Sequence, residues 1–374
     1  RDYYASRGLG DVYKRQLYVF YECLTLITLP LVIHKKDTMS IRAGRKYLTF
    51  SISGAALAFI ALVFIIYYGT TTDFVLGGVL DAEKISGMEE LLKFVFLLAF
   101  VGFGTKAAVF PMYAWLPAAS VAPTPVTALL HAVAVVNAGA YAVLRVIYYS
   151  FGASFLYGTW AQTVALLLSC FTILFGSTMA VREQHFKRRL AYSTISNLSY
   201  MLMGAALMTP DGMTGSLSHL VIHGVIKITL FYCAGAILIK TGKEYVQDLR
   251  GYSRIMPATC GIFLLGSIAL VGTPPLAGFV SKWNLLTAAS ATGLPMGTIA
   301  IVCLIISAIL TAIYLFTAAL PMYFRPLNAD QAQLAGQKLD PSWMMLVPMG
   351  ILCALMIGPV SYTHLRAHET RSNL

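Results

Sequence analysis

Charge is what this 374-residue chain has least of: Asp, Glu, Lys and Arg make up 11% of it, and only 16 residues are acidic. A soluble domain carries nearer a quarter. With 58% hydrophobic residues and mean hydropathy +0.72, the composition excludes that class. Cysteine is sparse as well. Its six copies sit singly in apolar stretches without a CxxC, which excludes iron–sulfur ligands and a disulfide framework and leaves small hydrophobes. No nucleotide loop, haem pair or cysteine cluster is present, so no cofactor is expected and the chain performs no redox chemistry alone. No basic stripe with interleaved aromatics occurs either. The net charge of +11 therefore reflects membrane topology, not nucleic-acid binding.

What is there is apolar sequence in runs of twenty or more residues, each long enough to cross a ~30 Å hydrocarbon core. About ten spans are expected, near 17–34, 47–68, 90–112, 122–148, 159–181, 188–209, 213–240, 257–290, 296–324 and 342–359. Both ends look foreign to this pattern. Residues 1–16 (RDYYASRGLGDVYKRQ) and 360–374 (VSYTHLRAHETRSNL) resemble translated sequencing-adapter read-through and are set aside from the fold reading. Basic residues gather in 34–46, 181–189 and 240–254, whereas 149–158, 209–213 and 291–295 have none. Alternating the spans puts every basic loop on one side, which the positive-inside rule makes cytoplasmic.

Two spans are interrupted, the third near Pro111 and Pro117 and the eighth at Pro274-Pro275. Each break lies beside a lone lysine, Lys106 and Lys282, and the two segments run in opposite directions, five apart. That pattern predicts an all-α polytopic bundle of two inverted repeats with two broken helices. The expected units are an incomplete first repeat over 17–148, a second over 159–324 and a C-terminal helix over 342–359.

Glu22 is the only charged residue between Arg15 and Lys35, and Lys106 the only one between Lys93 and Arg145. Lys227 is alone between Asp211 and Lys240, and Lys282 between Arg254 and Arg325. Each such charge costs about 2.5–3.5 kcal/mol to insert, a heavy load for a purely structural protein. The alternative is snorkelling to the headgroups. Lys106 lies about 20 Å along a helix from Lys93, beyond a lysine's reach; Glu22, nearer the end of its apolar run, is less protected from that reading. His219, His223 and Lys227, spaced i, i+4, i+8, share one helix face with a rise of about 6 Å per step. Water could bridge such gaps, and histidine takes and gives protons near neutral pH. The competing readings are an interhelical hydrogen bond for His219 and a metal pair for His–x3–His. The missing third ligand and the lysine on the same face disfavour a metal.

The run 102–144 (GFGTKAAVFPMYAWLPAASVAPTPVTALLHAVAVVNAGAYAVL) resembles the signature of antiporter-like subunits shared by respiratory complex I, membrane-bound hydrogenases and Mrp-type sodium/proton antiporters. The stretches 187–200 (KRRLAYSTISNLSY), 219–235 and 272–282 (GTPPLAGFVSK) are similar to three further blocks of that family, in the expected order. The resemblance implies that Glu22 is the essential glutamate paired with Lys106, His131 the histidine of the following helix, Lys227 the central lysine of the second half and Lys282 the terminal lysine. It implies proton transfer along these residues, with other membrane subunits as partners, protons and in some assemblies sodium as cargo, and a prokaryotic cytoplasmic membrane as location. Asn137 stands where many relatives carry a bridging lysine; an asparagine still orders water. Ala118 and His185 replace acidic residues common in the family. About fourteen helices are usual there, so about four would precede this sequence. Any oxidoreductase activity would belong to the assembly, and the choice among assemblies stays open. Two other readings stand beside this one: an independent secondary transporter of a small solute, and a non-pumping structural subunit.

Overall fold

The computed structural model describes residues 2–293, 295–328, 336 and 338–372, with side chains described from 14 to 357 within that range. Most of both terminal stretches expected to be foreign therefore lies outside the described side chains. Helices α1 (Asp2–Val32) and α2 (Thr38–Tyr68) precede a short α3 (Ala82–Ile85), then α4 (Glu89–Gly104), α5 (Trp115–Ala119), α6 (Thr124–Ala128), α7 (Val135–Val146) and α8 (Ala153–Leu156). The second half holds α9 (Trp160–Arg182), α10 (Phe186–Ala206), α11 (Pro210–Thr241), α12 (Pro257–Val271), α13 (Ala277–Ala291), α14 (Pro295–Phe324) and α15 (Trp343–Ser372).

Local chemistry sets these ends. Asp37 caps α2 by accepting the Ser40 N–H at 2.6 Å, and Thr209 caps α11 by accepting that of Gly212 at 3.0 Å, with Pro210 in the first turn. Gly272 adopts φ +92, a left-handed conformation a side chain resists, and ends α12 before Pro274-Pro275. Helix α4 stops at Gly104, and helical structure resumes only at Trp115. Pro111 lies in that gap, whereas Pro117, expected to help break the segment, sits in the first turn of α5, where its missing N–H costs nothing.

Among the described residues five helical stretches are each long and apolar enough to cross a bilayer: Thr38–Tyr68, Thr124–Phe151, Trp160–Arg182, Pro210–Thr241 and Pro295–Phe324. With this pattern the chain is an all-α integral membrane protein. The basic segments meet at one end. Phe186 N–H bonds Glu244 O at 2.8 Å and Val246 N–H bonds Gln184 O at 3.0 Å, while Arg42, Lys46 and Arg188 line one cavity. At the other end Gly158, Leu207, Thr292 and Pro295 line another.

Small residues let the helices approach. A methyl group on Gly102 of α4 would stand 2.6 Å from the Ala58 amide nitrogen of α2, so only glycine fits that crossing. Helix α10, rich in Ser and Thr, is enclosed by its neighbours, with nearly every residue from Phe186 to Ala206 buried.

Candidate functional site

Lys106 and Lys227 are fully buried and Lys282 is 8% exposed, so all three lie inside the helix bundle. Lys106 follows the end of α4. Its ammonium donates to the Tyr21 carbonyl of α1 and lies 3.4 Å from the centroid of the Tyr21 ring. The Tyr21 hydroxyl donates to the carbonyls of Gly102 and Phe103 at 3.3 and 3.0 Å, in the last turn of α4, where carbonyls lack their intrahelical i+4 partners. Glu22 was expected to pair with Lys106 directly. Among the described residues no such contact forms, and Glu22 Oε1 is buried without a hydrogen-bond partner. Successive helix residues point about 100° apart, so the face that offers the Tyr21 carbonyl turns the Glu22 carboxylate aside. The two groups still interact electrostatically.

Lys282 lies in α13, beside the end of α12. Its ammonium donates to the Leu270 and Val271 carbonyls at 2.8 and 3.0 Å, the negative end of the α12 dipole, and stands 5.3 Å from the centroid of the Tyr200 ring. On α11, His219 and His223 are buried with ring centroids 5.9 Å apart, and His219 Nδ1 lies 2.9 Å from Ser281 Oγ of α13. Lys227, two turns on from His219, donates to Leu190 O at 3.0 Å and Ser193 Oγ at 2.6 Å. Among the described residues no group of three or more His, Cys, Asp or Glu gathers in metal-binding range.

Helix α7 stands between these two clusters. Gly139 lets it close on the first: a methyl group there would lie 2.5 Å from the Ala107 nitrogen. Asn137 faces the second, its Nδ2 bonding Ala132 O at 3.1 Å and lying 3.6 Å from a methyl placed on Gly224 of α11. His131 sits where the helix widens, with the Ala134 N–H bonded to Leu129 O five residues back. Its Nδ1 is 2.9 Å from Thr127 O and its Nε2 2.9 Å from Leu116 O, with Ser120 Oγ 3.5 Å from Nε2. Two carbonyls are satisfied together only by an imidazolium, which donates twice; the neutral ring donates once and accepts once. The site thus offers partners to either form.

Sequence reasoning passed over a set of hydroxyls between α9, α10 and α14. Ser193 Oγ lies 2.5 Å from Tyr314 OH, which donates to Thr311 Oγ1 at 3.3 Å. Tyr200 OH donates to Ser307 Oγ at 2.7 Å, and Ser307 lies 2.5 Å from Ser177 and 3.1 Å from Ser196. All are fully buried. The signal was legible: Ser307, Thr311 and Tyr314, spaced i, i+4, i+7, place a polar stripe on an otherwise apolar helix.

Residues 14–325 match a family model described as NADH:quinone oxidoreductase/Mrp antiporter, TM. The chain belongs to that family. Relatives in the NADH:quinone oxidoreductase/Mrp antiporter family include NADH-quinone oxidoreductase subunit N of Desulforudis audaxviator, 31% identical over 354 residues, 92% of this chain and 68% of that protein. Hydrogenase-4 component B of Escherichia coli is 30% identical over 90% of this chain and 52% of its own length. A Na(+)/H(+) antiporter component of Bacillus subtilis is 28% identical over 76% and 56%. The chain thus spans between about half and two thirds of these relatives. The fold is also that of a chain in an archaeal membrane-bound sulfane sulfur reductase complex, with TM-score 0.79 and 22% identity over 94% of this chain and 69% of that one. A chain of the Mrp complex from Dietzia gives TM-score 0.79 and 21% identity over 93% and 71%.

Proposed function

We propose that this chain moves protons across a prokaryotic cytoplasmic membrane as an antiporter-like subunit of a larger membrane complex. The line runs from Glu22 and Lys106, past Asn137 and His131, to Lys227, His223, His219 and Lys282. Its chemistry rests on one observation: three lysines lie inside the bundle, and the hydrogen bonds they make there are to carbonyls and a hydroxyl, with no carboxylate in direct contact among the described residues. An ammonium whose direct contacts are all neutral is costly to keep buried. A neighbouring charge then decides whether the proton stays. Glu22 is within electrostatic range of Lys106, and Lys227 of Lys282 and His131.

In this reading the two broken segments are inverted counterparts, 17–148 and 159–324 being the repeats and 342–359 a terminal helix. Lys106 against Tyr21 of α1 and Lys282 against Tyr200 of α10 support it, since α1 and α10 hold equivalent places in the scheme. Pro111, Pro274 and Pro275 mark the two breaks. The basic end faces the cytoplasm. The driving step, a redox reaction or sodium movement, is supplied by partner subunits.

The test is proton uptake by the assembled complex in proteoliposomes, with Lys106→Ala, Lys227→Ala and Lys282→Ala compared singly. Each is expected to lower the rate at least about tenfold, as for loss of a positioned proton-transfer group. Pumping that survives Lys106→Ala and Lys282→Ala would instead make the chain a structural subunit, and solute uptake by the isolated chain would make it a secondary transporter.

A further inference from the structure

Away from the buried line, a cavity of about 380 Å³ opens at the basic end between α2 and α10. Arg42 and Lys46 enter it from one face of α2, a single turn apart, and Arg188 enters from α10; Tyr113 and Tyr192 flank them, with Pro117 in the wall. No carboxylate lines it among the described residues. Of the acids nearest in sequence, Asp37 accepts the Ser40 N–H, and Glu183 accepts from one terminal nitrogen of Arg188 at 3.1 Å, which leaves the rest of that guanidinium fork for a ligand. Like charges one helical turn apart repel, and an anion between them would turn that repulsion into attraction.

The cavity continues into an apolar wall. Tyr113 packs on Phe175 with ring centroids 4.6 Å apart and on Phe110 at 5.9 Å, and Phe110 packs on Phe171 at 4.9 Å. Phe171 is half exposed. Arg42 and Lys46 lie about 6 and 12 Å along α2 from its first residue, and tyrosines beside them suit the interface between headgroups and hydrocarbon. A free phosphate would use the cations and leave the aromatic wall bare. A zwitterionic lipid would use the wall and bring no net charge to the cations. We propose that the cavity seats the headgroup of an anionic phospholipid, with Arg42 and Arg188 forking its phosphate oxygens, Lys46 as a point charge, and an acyl chain along Phe110, Phe171 and Phe175.

The experiment uses the full chain, delipidated in a neutral detergent and titrated with phosphatidylglycerol or phosphatidylcholine of matched acyl chains, with bound lipid read by native mass spectrometry. Phosphatidylglycerol is expected to be retained over phosphatidylcholine by at least ~5-fold, and each lining cation removed to weaken it by up to ~5-fold. Arg42→Gln with Lys46→Gln should abolish the preference, and Arg188→Gln on the other helix should reduce it even if the α2 variant does not fold. Arg45→Gln, an exposed cation of α2 outside the cavity, should leave the preference intact. Equal retention of the two lipids, equal loss in Arg45→Gln, or complete displacement by millimolar inorganic phosphate would each overturn the assignment.

Discussion

Lys227 of α11 donates to the hydroxyl of Ser193 on α10 across 2.6 Å, and Ser193 is in turn 2.5 Å from the hydroxyl of Tyr314 on α14. The lysine therefore meets a chain of hydroxyls that can each accept and donate. Hydrogen bonds to a charged group contribute about 1.5–3 kcal/mol. Ser193→Ala and Tyr314→Phe should therefore slow proton uptake by roughly tenfold or more if conduction uses this branch, while Ser199→Ala, which removes a buried hydroxyl bonded only to its own helix at Ile195 O, should not. Uptake rates in proteoliposomes decide between them. Equal rates in all three variants would leave the branch a packing feature.

Gly139 tests how closely α7 must lie against Lys106. Because a methyl group there would meet the Ala107 nitrogen at 2.5 Å and the Lys106 carbonyl carbon at 2.9 Å, backbone has to move to admit one. Overpacking of this kind costs about 1–3 kcal/mol or more. Gly139→Ala should lower the thermal unfolding temperature in detergent, and Gly139→Val should lower it further. The neighbouring Ala138→Val, at a half-buried position beside a groove lined by Leu24 and Tyr141, should be tolerated.

His185 lies outside the spans and gives a pH dependence with a definite sign. Burial pushes its imidazole below the ordinary 6.5, outweighing the opposing pull of Glu244 at 3.3 Å. A group whose folded value is depressed stabilises the fold above its unfolded value and ceases to as pH falls through the folded one. The contact between 184–186 and 244–246 should therefore loosen as pH drops from 7.5 to 5. Hydrogen exchange at Phe186 and Val246, whose amides bond Glu244 O and Gln184 O, should quicken beyond the intrinsic change in the wild type. In His185→Gln that excess should vanish.

The spans were legible because apolar runs longer than a bilayer needs have few soluble explanations, and all ten expected segments begin or end within a few residues of an observed helix. The start of α2 was placed nine residues late, since the basic run Arg42–Lys46 reads as loop although the Asp37 cap begins the helix before it. The widened turns at Leu129–Val133 and Ile147–Phe151 carry no sequence mark, being tertiary adjustments of an ordinary helical pattern. The lone lysines stood out because charge in hydrocarbon is costly. Ser193, Tyr200 and Ser307 did not, because a hydroxyl can bond its own helix and so costs little to bury. The side that Glu22 presents depends on helix rotation, which one sequence does not fix.

His131 separates position from titration. Its two ring nitrogens face Thr127 O and Leu116 O, and Ser120 Oγ stands by for the neutral form. Phenylalanine fills the space but leaves the Leu116 carbonyl without its partner, at about 1–3 kcal/mol for a buried group, so His131→Phe should lose both stability and proton uptake. Glutamine can still donate one hydrogen bond and cannot take a proton. His131→Gln should therefore unfold near the wild-type temperature and yet pump at least about tenfold more slowly, as for loss of a positioned acid–base group. Measuring unfolding and uptake on the same preparations distinguishes the roles: uptake that stays high in His131→Gln while His131→Phe fails would make His131 a structural link between α5 and α6, with no part in carrying the proton.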